Sequence, residues 1–288
     1  MKLFQYIKFA LRFIGRKISW LIKKVYLFIF SRPATQKINN YILQLALRAR
    51  GYNNWGESET TGEAYFIDLL AKTNPKLIID IGANKGNYST ELLAKTNADI
   101  IAFEPLPKAY EYLLNIKTKY PTRFEAVNAG VGAKEETLEL FYGSDVSVLA
   151  SFSKEVKQVD YVGQHVVNVM KVPVTTLDAY YNQNIKGKYE CLDLLKIDTE
   201  GFEYEVLMGA QQTLSQLRPK FIQIEYNWHQ LFRNQSLRLI AELMPGYSAY
   251  QMLPNGHGIV KRDLNRPESN IYNYSNFVFV RDDVKLIG

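Results

Sequence analysis

Acidic side chains and one histidine stand where four short apolar runs of this chain end. The residues concerned are Asp80, Glu104, Asp198, Glu200, Glu225 and His229. A carboxylate can accept hydrogen bonds from hydroxyl groups, attract a cation or take a proton as a general base, and a histidine can act as a base near neutral pH. These residues can form a functional site only if the fold brings them together.

The apolar runs alternate with helical patterns from Lys76 onward. KLIIDI, DIIAFE, CLDLLKID and KFIQIEY are typical of buried strands, and apolar residues at spacings of three and four follow them. This alternation predicts a mostly parallel sheet with helices on both faces. Because ligands bind at the carboxyl ends of the strands in such sheets, we expect the acidic residues at one edge.

A tight glycine turn follows the first of these strands, in LIIDIGANKGNYST. Gly82 permits the turn, Ala83 is small enough for close approach of a ligand, and Gly86 lets the next helix start against the strand. We expect free backbone N–H groups here to meet the polar end of a ligand, with Asn84 and Tyr88 beside it. Since position 84 is not glycine, the dinucleotide fingerprint G-x-G-x-x-G is not met, which argues against a nicotinamide-dependent oxidoreductase.

The acids next to this turn indicate the ligand. Asp80 precedes the turn, where it would repel a pyrophosphate but suit an amino group or a sulfonium. Glu104 ends the second strand and can accept hydrogen bonds from both ribose hydroxyls, unless it is simply an exposed glutamate. Together they predict S-adenosylmethionine as the cofactor. Asn128 in AVNAGVG could bind the adenine edge, or it could be a simple turn asparagine.

Five blocks follow one another along the chain: IIDIGANKGNYS, AFEPLPKAYEYL, VNAGVG, VPVTTLDAY and LLKIDTEGFEYEVLMGA. They resemble the blocks of the FkbM-type S-adenosylmethionine-dependent methyltransferases, which are mostly O-methyltransferases of sugars, glycans and polyketide or related natural products. The resemblance implies an α/β, Rossmann-like, seven-stranded class I methyltransferase sheet whose reversed last strand NFVFV could supply. The weakly patterned stretch 143–169 departs from the family pattern, and we expect it to help form the acceptor site.

Methyl transfer from a sulfonium needs alignment of donor and acceptor, and a base if the acceptor is an alcohol. The candidate catalytic residues are Asp198, Glu200, Glu225 and His229, and Asp198 is also counted with the cofactor site. A less favoured alternative is that Asp198, Glu200 and Glu225 hold a divalent cation that lowers the pKa of the acceptor. A structural role, in which Glu200 and Glu203 cap a helix N-terminus, stays open.

The expected acceptor is a small molecule or glycan, with a hydroxyl of a saccharide, glycolipid or natural product as its reacting group. Tyr226 and Trp228 could lie on the acceptor side and stack on a sugar ring, or they could be core residues, as most aromatic residues at helical or strand spacing are. Glu63 also resembles a family position, without a job that we can derive. The alternative function is a catalytically inactive, membrane-associated protein that binds a nucleoside.

The first 32 of the 288 residues hold eight basic residues and no acidic one. The rest of the chain has 27 basic and 29 acidic residues, which argues against a nucleic-acid partner. Apolar residues recur at the helical period opposite the basic ones, as in a helix that lies in an anionic membrane interface. No apolar run in the segment approaches the length of a spanning helix, and VYLFIF is too short and too far from residue 1 for a signal peptide, so we expect the segment neither to span a membrane nor to direct export. The alternative is that this helix packs on its own domain or on a second subunit, as in a homo-oligomer.

We therefore predict a basic amphipathic helix over residues 1–32, a helical lead-in over 33–73 and a methyltransferase domain over 74–288. A single cysteine, Cys191, excludes an internal disulfide and is expected to be buried. The expected location is cytoplasmic, at the inner membrane surface.

Overall fold

The computed structural model describes residues 2–143, 150–153 and 168–286, with side chains described from residue 16 onward. The chain divides into two compact units, residues 1–50 and residues 51–288. Most of the stretch from 143 to 169, which is expected to help form the acceptor site, lies outside the described residues.

The first unit consists of two helices, α1 (Lys2–Phe30) and α2 (Gln36–Ala49), joined through a short 3-10 turn at Pro33–Thr35. The carbonyl oxygen of Phe30 at the end of α1 accepts hydrogen bonds from Thr35 Oγ1 at 2.6 Å and Asn39 Nδ2 at 2.8 Å. These bonds satisfy a carbonyl that a helix end would otherwise leave without a partner. Among the described helices, none has the length and apolar character needed to cross a membrane.

Helices of the second unit are short and surround a central sheet. They are α3 (Ser58–Thr61), α4 (Glu63–Ala71), α5 (Asn87–Lys95), α6 (Pro107–Lys119), α7 (Leu177–Tyr180), α8 (Glu203–Met208), α9 (Gln211–Leu217), α10 (His229–Phe232) and α11 (Leu237–Ala241). A π-helical turn at Tyr181–Ile185 and 3-10 turns at Pro254–Gly256 and Pro267–Ser269 complete the helical elements.

Strands of the second unit form two sheets. They are β1 (Leu77–Ile81), β2 (Asp99–Phe103), β3 (Phe124–Val127), β4 (Gly130–Val131), β5 (Glu136–Tyr142), β6 (Asn168–Thr175), β7 (Leu194–Ile197), β8 (Phe221–Tyr226), β9 (Tyr247–Met252), β10 (Ile259–Lys261) and β11 (Ser275–Arg281). The larger sheet has the order β10-β9-β11-β8-β7-β1-β2-β3, and the smaller has the order β4-β6-β5.

The larger sheet confirms the predicted architecture in all but its strand count. Strands β3, β2, β1, β7 and β8 are parallel neighbours, and β11 runs antiparallel to both β8 and β9, as expected of the reversed last strand. The described sheet has eight strands and not seven, because the short β10 pairs with β9. The hairpin that adds β10 turns through Asn255, whose φ is 56°, and closes with a bond from Leu253 N to Gly258 O. Three residues are too few for a periodic pattern to reveal such a strand.

Central strands are buried over their whole length, which explains their continuous apolar sequence. All residues of β1, β7 and β8 are buried. Phe66 and Phe221 pack edge to face in this core, with their ring centroids 5.5 Å apart. Cys191, just before β7, is half-buried and not buried as predicted, because it precedes the point where the strand enters the core.

Candidate functional site

Three predicted carboxylates meet at the carboxyl ends of β7 and β8. One carboxylate oxygen from each of Asp198, Glu200 and Glu225 lies within 4.8 Å of the other two. A turn after β7 brings Asp198 and Glu200 to the same side, as the glycine in KIDTEG suggested. Glu200 and Gly201 have φ values of 51° and 98°, so two successive residues adopt the left-handed conformation that reverses the chain.

Glu203 braces this turn, which we call the KIDTEG loop (residues 196–201). Its Oε1 accepts hydrogen bonds from Thr199 N and Thr199 Oγ1, both at 3.0 Å, and from Gly201 N at 3.2 Å. Its Oε2 accepts a hydrogen bond from Gln230 Nε2 at 2.5 Å. Glu203 is fully buried, so this carboxylate holds the loop from inside and does not face a ligand.

Glu200 faces two neighbours that come from beyond β8. Its Oε2 lies 3.1 Å from His229 Nε2 and 3.2 Å from Asn227 Nδ2. The same Asn227 nitrogen donates to Glu225 Oε1 at 2.7 Å, so one amide group bridges two carboxylates. His229 can approach only because Gly201 has no side chain: a Cβ there would lie 2.6 Å from His229 Cβ.

Glu225 and His229 are more enclosed than Asp198. His229 is 2% exposed, and its ring stacks on Trp228 with centroids 3.7 Å apart. Burial raises the pKa of Glu225 well above its ordinary value, and the negative charges of Asp198 and Glu200 raise it further. Glu225 therefore retains its proton to higher pH than an ordinary glutamate does.

A row of polar side chains crosses the middle of the sheet beside these acids. Asp80 on β1 is in register with Lys196 on β7, and Lys196 is in register with Gln223 on β8. Lys196 Nζ lies 2.9 Å from Asp198 Oδ2 and 3.5 Å from Asp80 Oδ1. Asp80 is fully buried, and its Oδ2 accepts a hydrogen bond from Ser89 Oγ at 2.7 Å.

Lys196 is a residue that the sequence reasoning missed. Its signal was a lysine inside the apolar run LLKID, where a charge is costly unless it is paired. Asp80 was expected to face a cationic ligand, and Lys196 is the cation that the structure places beside it. The Oδ1 atom of Asp80 is nevertheless buried without a hydrogen-bond partner among the described residues.

The glycine turn after β1 is needed for close packing. Gly82 has a φ of 80°, and a Cβ on it would lie 1.8 Å from the carbonyl oxygen of Asp198. The expectation of free backbone N–H groups at this turn is wrong, because the N–H groups of residues 82–86 all donate to oxygen atoms of the protein. Gly82 N and Ala83 N both donate to Phe103 O, at 3.0 and 2.9 Å, because the turn folds back over the end of β2.

Glu104 holds the rest of this turn. Its Oε2 accepts a hydrogen bond from Asn84 N, and its Oε1 accepts one from Leu106 N, both at 2.8 Å. Burial raises the pKa of Glu104 to about 7, although these two bonds act in the opposite direction. Each carboxylate oxygen has room for a second hydrogen bond, so the group can still accept from a diol.

Asn128 is tied to the same turn by its side-chain amide. Its Nδ2 donates to Glu104 O at 2.8 Å and to Pro105 O at 3.3 Å. These bonds are those of an asparagine that stabilises a turn, the alternative considered above. Contact of Asn128 with adenine stays a prediction.

Tyr88 and Glu63 extend the polar row toward the helices. Tyr88 OH donates to Gln223 Oε1 at 2.5 Å, and Gln223 Nε2 donates to Glu63 Oε1 at 2.7 Å. Burial raises the pKa of both Tyr88 and Glu63. Glu63, which had no assigned job, therefore belongs to the charged cluster around Lys196.

The two aromatic residues placed on the acceptor side differ in exposure. Tyr226 is fully buried, with its ring centroid 5.5 Å from that of Tyr272 and 6.3 Å from that of Phe277. Its prediction as an acceptor-side residue is wrong, because the ring is part of the core. Trp228 is half-buried, and its ring stacks on that of His229 and contacts that of Phe232 edge to face.

Fold and site together define the class of protein. A mostly parallel sheet with β11 reversed between β8 and β9, a glycine turn after β1 and an acid at the end of β2 are the features of a class I S-adenosylmethionine-dependent methyltransferase. The model of the methyltransferase FkbM domain matches residues 80–252. The chain belongs to the FkbM methyltransferase family.

Curated relatives agree with this family. The chain is similar to the 2-O-methyltransferase NoeI of Sinorhizobium fredii (strain NBRC 101917 / NGR234), with 26% identity over 208 residues, or 66% of this chain and 79% of the relative. It is 30% identical over 173 residues to the methyltransferase sdnD of Sordaria araneosa, which corresponds to 53% of this chain and 66% of the relative. A solved O-methyltransferase from Bacillus cereus in complex with SAH matches 84% of this chain and 89% of its own, with 14% identity and a TM-score of 0.43.

Proposed function

We propose that this methyltransferase transfers the methyl group of S-adenosylmethionine to a hydroxyl group of a saccharide, glycolipid or natural-product acceptor. The observation that carries the proposal is the meeting of Glu200, Glu225 and His229 beside the glycine turn, because an alcohol acceptor needs a base near the donor. The name of the relative NoeI, a 2-O-methyltransferase, supports a hydroxyl as the reacting group.

Several residues of the chain fit the cofactor. The Glu104 carboxylate is held rigidly by two backbone N–H groups and can accept from the ribose hydroxyls. The buried Asp80 Oδ1, without a hydrogen-bond partner among the described residues, leaves negative charge next to the glycine turn. S-adenosylmethionine, when bound, supplies the electrophilic methyl group, and the residues around it supply alignment and charge.

Glu200 is the proposed base. Asp198 is less suited, because its Oδ2 already accepts a hydrogen bond from Lys196 Nζ at 2.9 Å, which competes with the acceptor hydroxyl for that oxygen. Glu225 is less suited because its raised pKa keeps it protonated over a wider pH range. Glu200 would take the proton of the acceptor hydroxyl, and His229 Nε2, 3.1 Å away, would stabilise the carboxylate or take the proton onward.

The same carboxylates could instead hold a divalent cation. Oxygen atoms that lie within 4.8 Å of one another can be bridged by an ion that binds oxygen at about 2.0–2.6 Å. Lys196 already neutralises Asp198, which makes a base without metal the favoured arrangement. Turnover measured after chelation, and again after magnesium is returned, separates the two.

The test of the proposed activity is transfer of radiolabelled methyl from S-adenosylmethionine to a panel of saccharide, lipid-linked and polyketide alcohols. Transfer that disappears when the acceptor hydroxyl is blocked supports O-methylation. Cofactor binding by calorimetry without transfer to any acceptor would instead favour the alternative, an inactive nucleoside-binding protein.

We also propose that residues 1–32 hold the protein at an anionic membrane surface on the cytoplasmic side. Residues 1–50 contain 11 basic residues and no acidic residue. Large apolar side chains of α1 are exposed, among them Trp20, Ile22 and Phe28, at 57%, 63% and 76%. An exposed apolar face next to basic residues is the composition of a helix that lies in a lipid interface.

Flotation of the full chain with anionic vesicles tests this proposal. Charge reversal in α1, Lys23→Glu with Lys24→Glu, should reduce recovery with the vesicles. The matched control, Lys72→Glu with Lys119→Glu, changes the net charge equally at exposed lysines of the second unit. Equal loss of recovery in both variants, or no recovery of the unaltered chain with the vesicles, would contradict the membrane proposal. Self-association of the chain in light scattering would instead favour packing of the helix against a second copy.

A further inference from the structure

One cation and three carboxylates form a buried cluster that the proposed base does not use. Lys196 Nζ lies 2.9 Å from Asp198 and 3.5 Å from Asp80, and the third carboxylate, Glu63, interacts electrostatically with the same lysine. If all four groups are ionised, the cluster has two negative charges in excess. Enclosed charges that lack partners are costly, so a ligand with positive charge is the natural complement.

Glu63 stands at the open side of this cluster. Asp80 and Lys196 are sealed, at 0% and 4% exposure, whereas Glu63 is half-buried and the side chain of Asp198 is 30% exposed. Glu63 reaches this position from α4, where it is the first residue of the helix. A ligand at the carboxyl ends of β1 and β7 would therefore meet Glu63 and Asp198 before the other two.

Neutral groups orient the Glu63 carboxylate. Gln223 Nε2 donates to Oε1 at 2.7 Å, and Thr61 Oγ1 donates to Oε2 at 3.1 Å. Gln223 is itself fixed by the hydroxyl of Tyr88, which leaves its amide in a single orientation. Each oxygen of Glu63 retains capacity for one further donor, and no lysine or arginine among the described residues makes a salt bridge with it.

We infer that Glu63 binds the α-amino group of the methionine part of S-adenosylmethionine. This inference rests on the proposed function, in that it takes the carboxyl ends of β1 and β7 as the cofactor site. The ammonium and the sulfonium of the cofactor each carry one positive charge and its carboxylate carries one negative charge, so the bound cofactor would reduce the excess negative charge of the cluster from two to one. The contact would use Glu63 as a cofactor-binding residue and would explain a glutamate in this enclosed place.

Proton linkage gives the contact a direct signature. Burial raises the pKa of Glu63, with Asp198 adding to the rise, while Lys196, Thr61 and Gln223 act against it. Tyr88 and Tyr274 are two further titratable groups that interact electrostatically with Glu63. An ammonium bound to Glu63 favours its ionised form, so binding should release a proton from the fraction of molecules in which Glu63 is protonated.

The experiment is calorimetric titration of the full chain with three probes in phosphate and in Tris, which differ in ionisation enthalpy. S-adenosylmethionine and S-adenosylhomocysteine carry the ammonium, and methylthioadenosine lacks it. Glu63→Gln should weaken the first two at least about tenfold and leave methylthioadenosine unchanged, because a charged hydrogen bond is lost only where an ammonium is present. Glu59→Gln, an exposed glutamate on α3, is the matched control and should change none of the three.

Other results of these titrations would contradict the role of Glu63 or the cofactor site itself. If Glu63→Gln binds S-adenosylmethionine and S-adenosylhomocysteine as tightly as the unaltered protein does, the inference is overturned while the proposed function stands. Equal weakening of all three probes would also overturn it and would indicate a structural role for Glu63. If the unaltered protein binds none of the probes, the cofactor site itself is wrong. If Glu63→Gln does not fold, the unaltered protein still decides. Both probes carry the ribose that Glu104 would bind, so a larger proton release with S-adenosylhomocysteine than with methylthioadenosine supports the contact, and equal release with both overturns it.

Discussion

Gly82 lies directly against the carbonyl oxygen of Asp198, so closely that a Cβ on Gly82 would come within 1.8 Å of that oxygen. Two loops that are far apart in sequence, the glycine turn after β1 and the KIDTEG loop after β7, are therefore in backbone contact. The contact places the predicted cofactor-binding turn and the proposed base at a fixed separation.

Replacing this glycine tests the contact. Gly82→Ala should destabilise the protein by about 2–4 kcal/mol, since overpacking adds to the strain of a side chain at positive φ. Denaturant unfolding measures the loss. Gly187→Ala is the matched control, because Gly187 has a φ of 78° and nothing within 4 Å of its notional Cβ. A similar loss in both variants would assign the effect to φ alone and contradict the close contact.

Glu104 should make cofactor binding pH-dependent. Its pKa is raised to about 7, and the ionised carboxylate is the form that accepts hydrogen bonds from two hydroxyls. The affinity for methylthioadenosine, which has the ribose but no ammonium, should therefore increase between about pH 6 and pH 8 when it is measured by calorimetry. Glu104→Gln should bind more weakly and with a flat profile over that range, and an unchanged profile in the variant would assign the dependence to another group.

The same carboxylate should affect stability in the opposite sense. A glutamate whose pKa in the folded protein exceeds its ordinary 4.5 binds more protons when folded than when unfolded. The free energy of unfolding of the cofactor-free protein should then decrease as pH rises from about 4.5 to about 7. Glu104→Gln should reduce this slope in urea unfolding curves, and a slope that stays the same would contradict the assignment.

Lys196 should be essential for folding stability. Lys196→Met leaves Asp80 and Asp198 facing each other without a cation, which should cost about 3–5 kcal/mol of unfolding free energy. Adding Asp80→Asn should recover part of this loss, because one uncompensated charge is removed. Lys95→Met is the control: its partner Asp68 is 61% exposed, so the cost should stay below about 1 kcal/mol. A loss of that small size in Lys196→Met would mean that water solvates the cluster.

Glu200 should affect turnover and not cofactor affinity. Glu200→Gln should lower kcat by about 10²–10⁴, the usual contribution of a general base, with the Kd for S-adenosylmethionine unchanged. An unchanged kcat would exclude Glu200 as the base, and a large rise in Kd would indicate that it positions the cofactor instead.

Features that depend on local pattern could be predicted from sequence. The strands β1, β2, β7 and β8 lie where apolar runs predicted them, and Asp198, Glu200 and Glu225 meet because parallel strands end at one edge. The alignment of Asp80, Lys196 and Gln223 could not be predicted in this way. It depends on the order and register of three strands. Asp80 and Lys196 are more than a hundred positions apart in the sequence, and Lys196 and Gln223 are nearly thirty positions apart.

The hydrogen-bond partners of the backbone N–H groups could not be predicted from the sequence either. GANKG reads as a loop with free N–H groups, but Gly82 N and Ala83 N are taken by the carbonyl of Phe103, a residue on the neighbouring strand. The burial of Tyr226 could not be predicted for the same reason. Its position at the end of β8 was compatible with an acceptor-side role, but its ring packs against Phe277 of the neighbouring reversed strand β11. Local periodicity carries no information on such neighbours.

The Glu203 carboxylate links the KIDTEG loop to helix α10. It bonds Thr199 and Gly201 on one side and Gln230 on the other, so the loop that carries Glu200 and the helix that carries His229 share an anchor. Neither can shift alone without leaving a buried carboxylate short of donors. The alignment of Glu200 with His229 is consequently established when the chain folds, and an arriving acceptor has to fit a catalytic pair that is already in place.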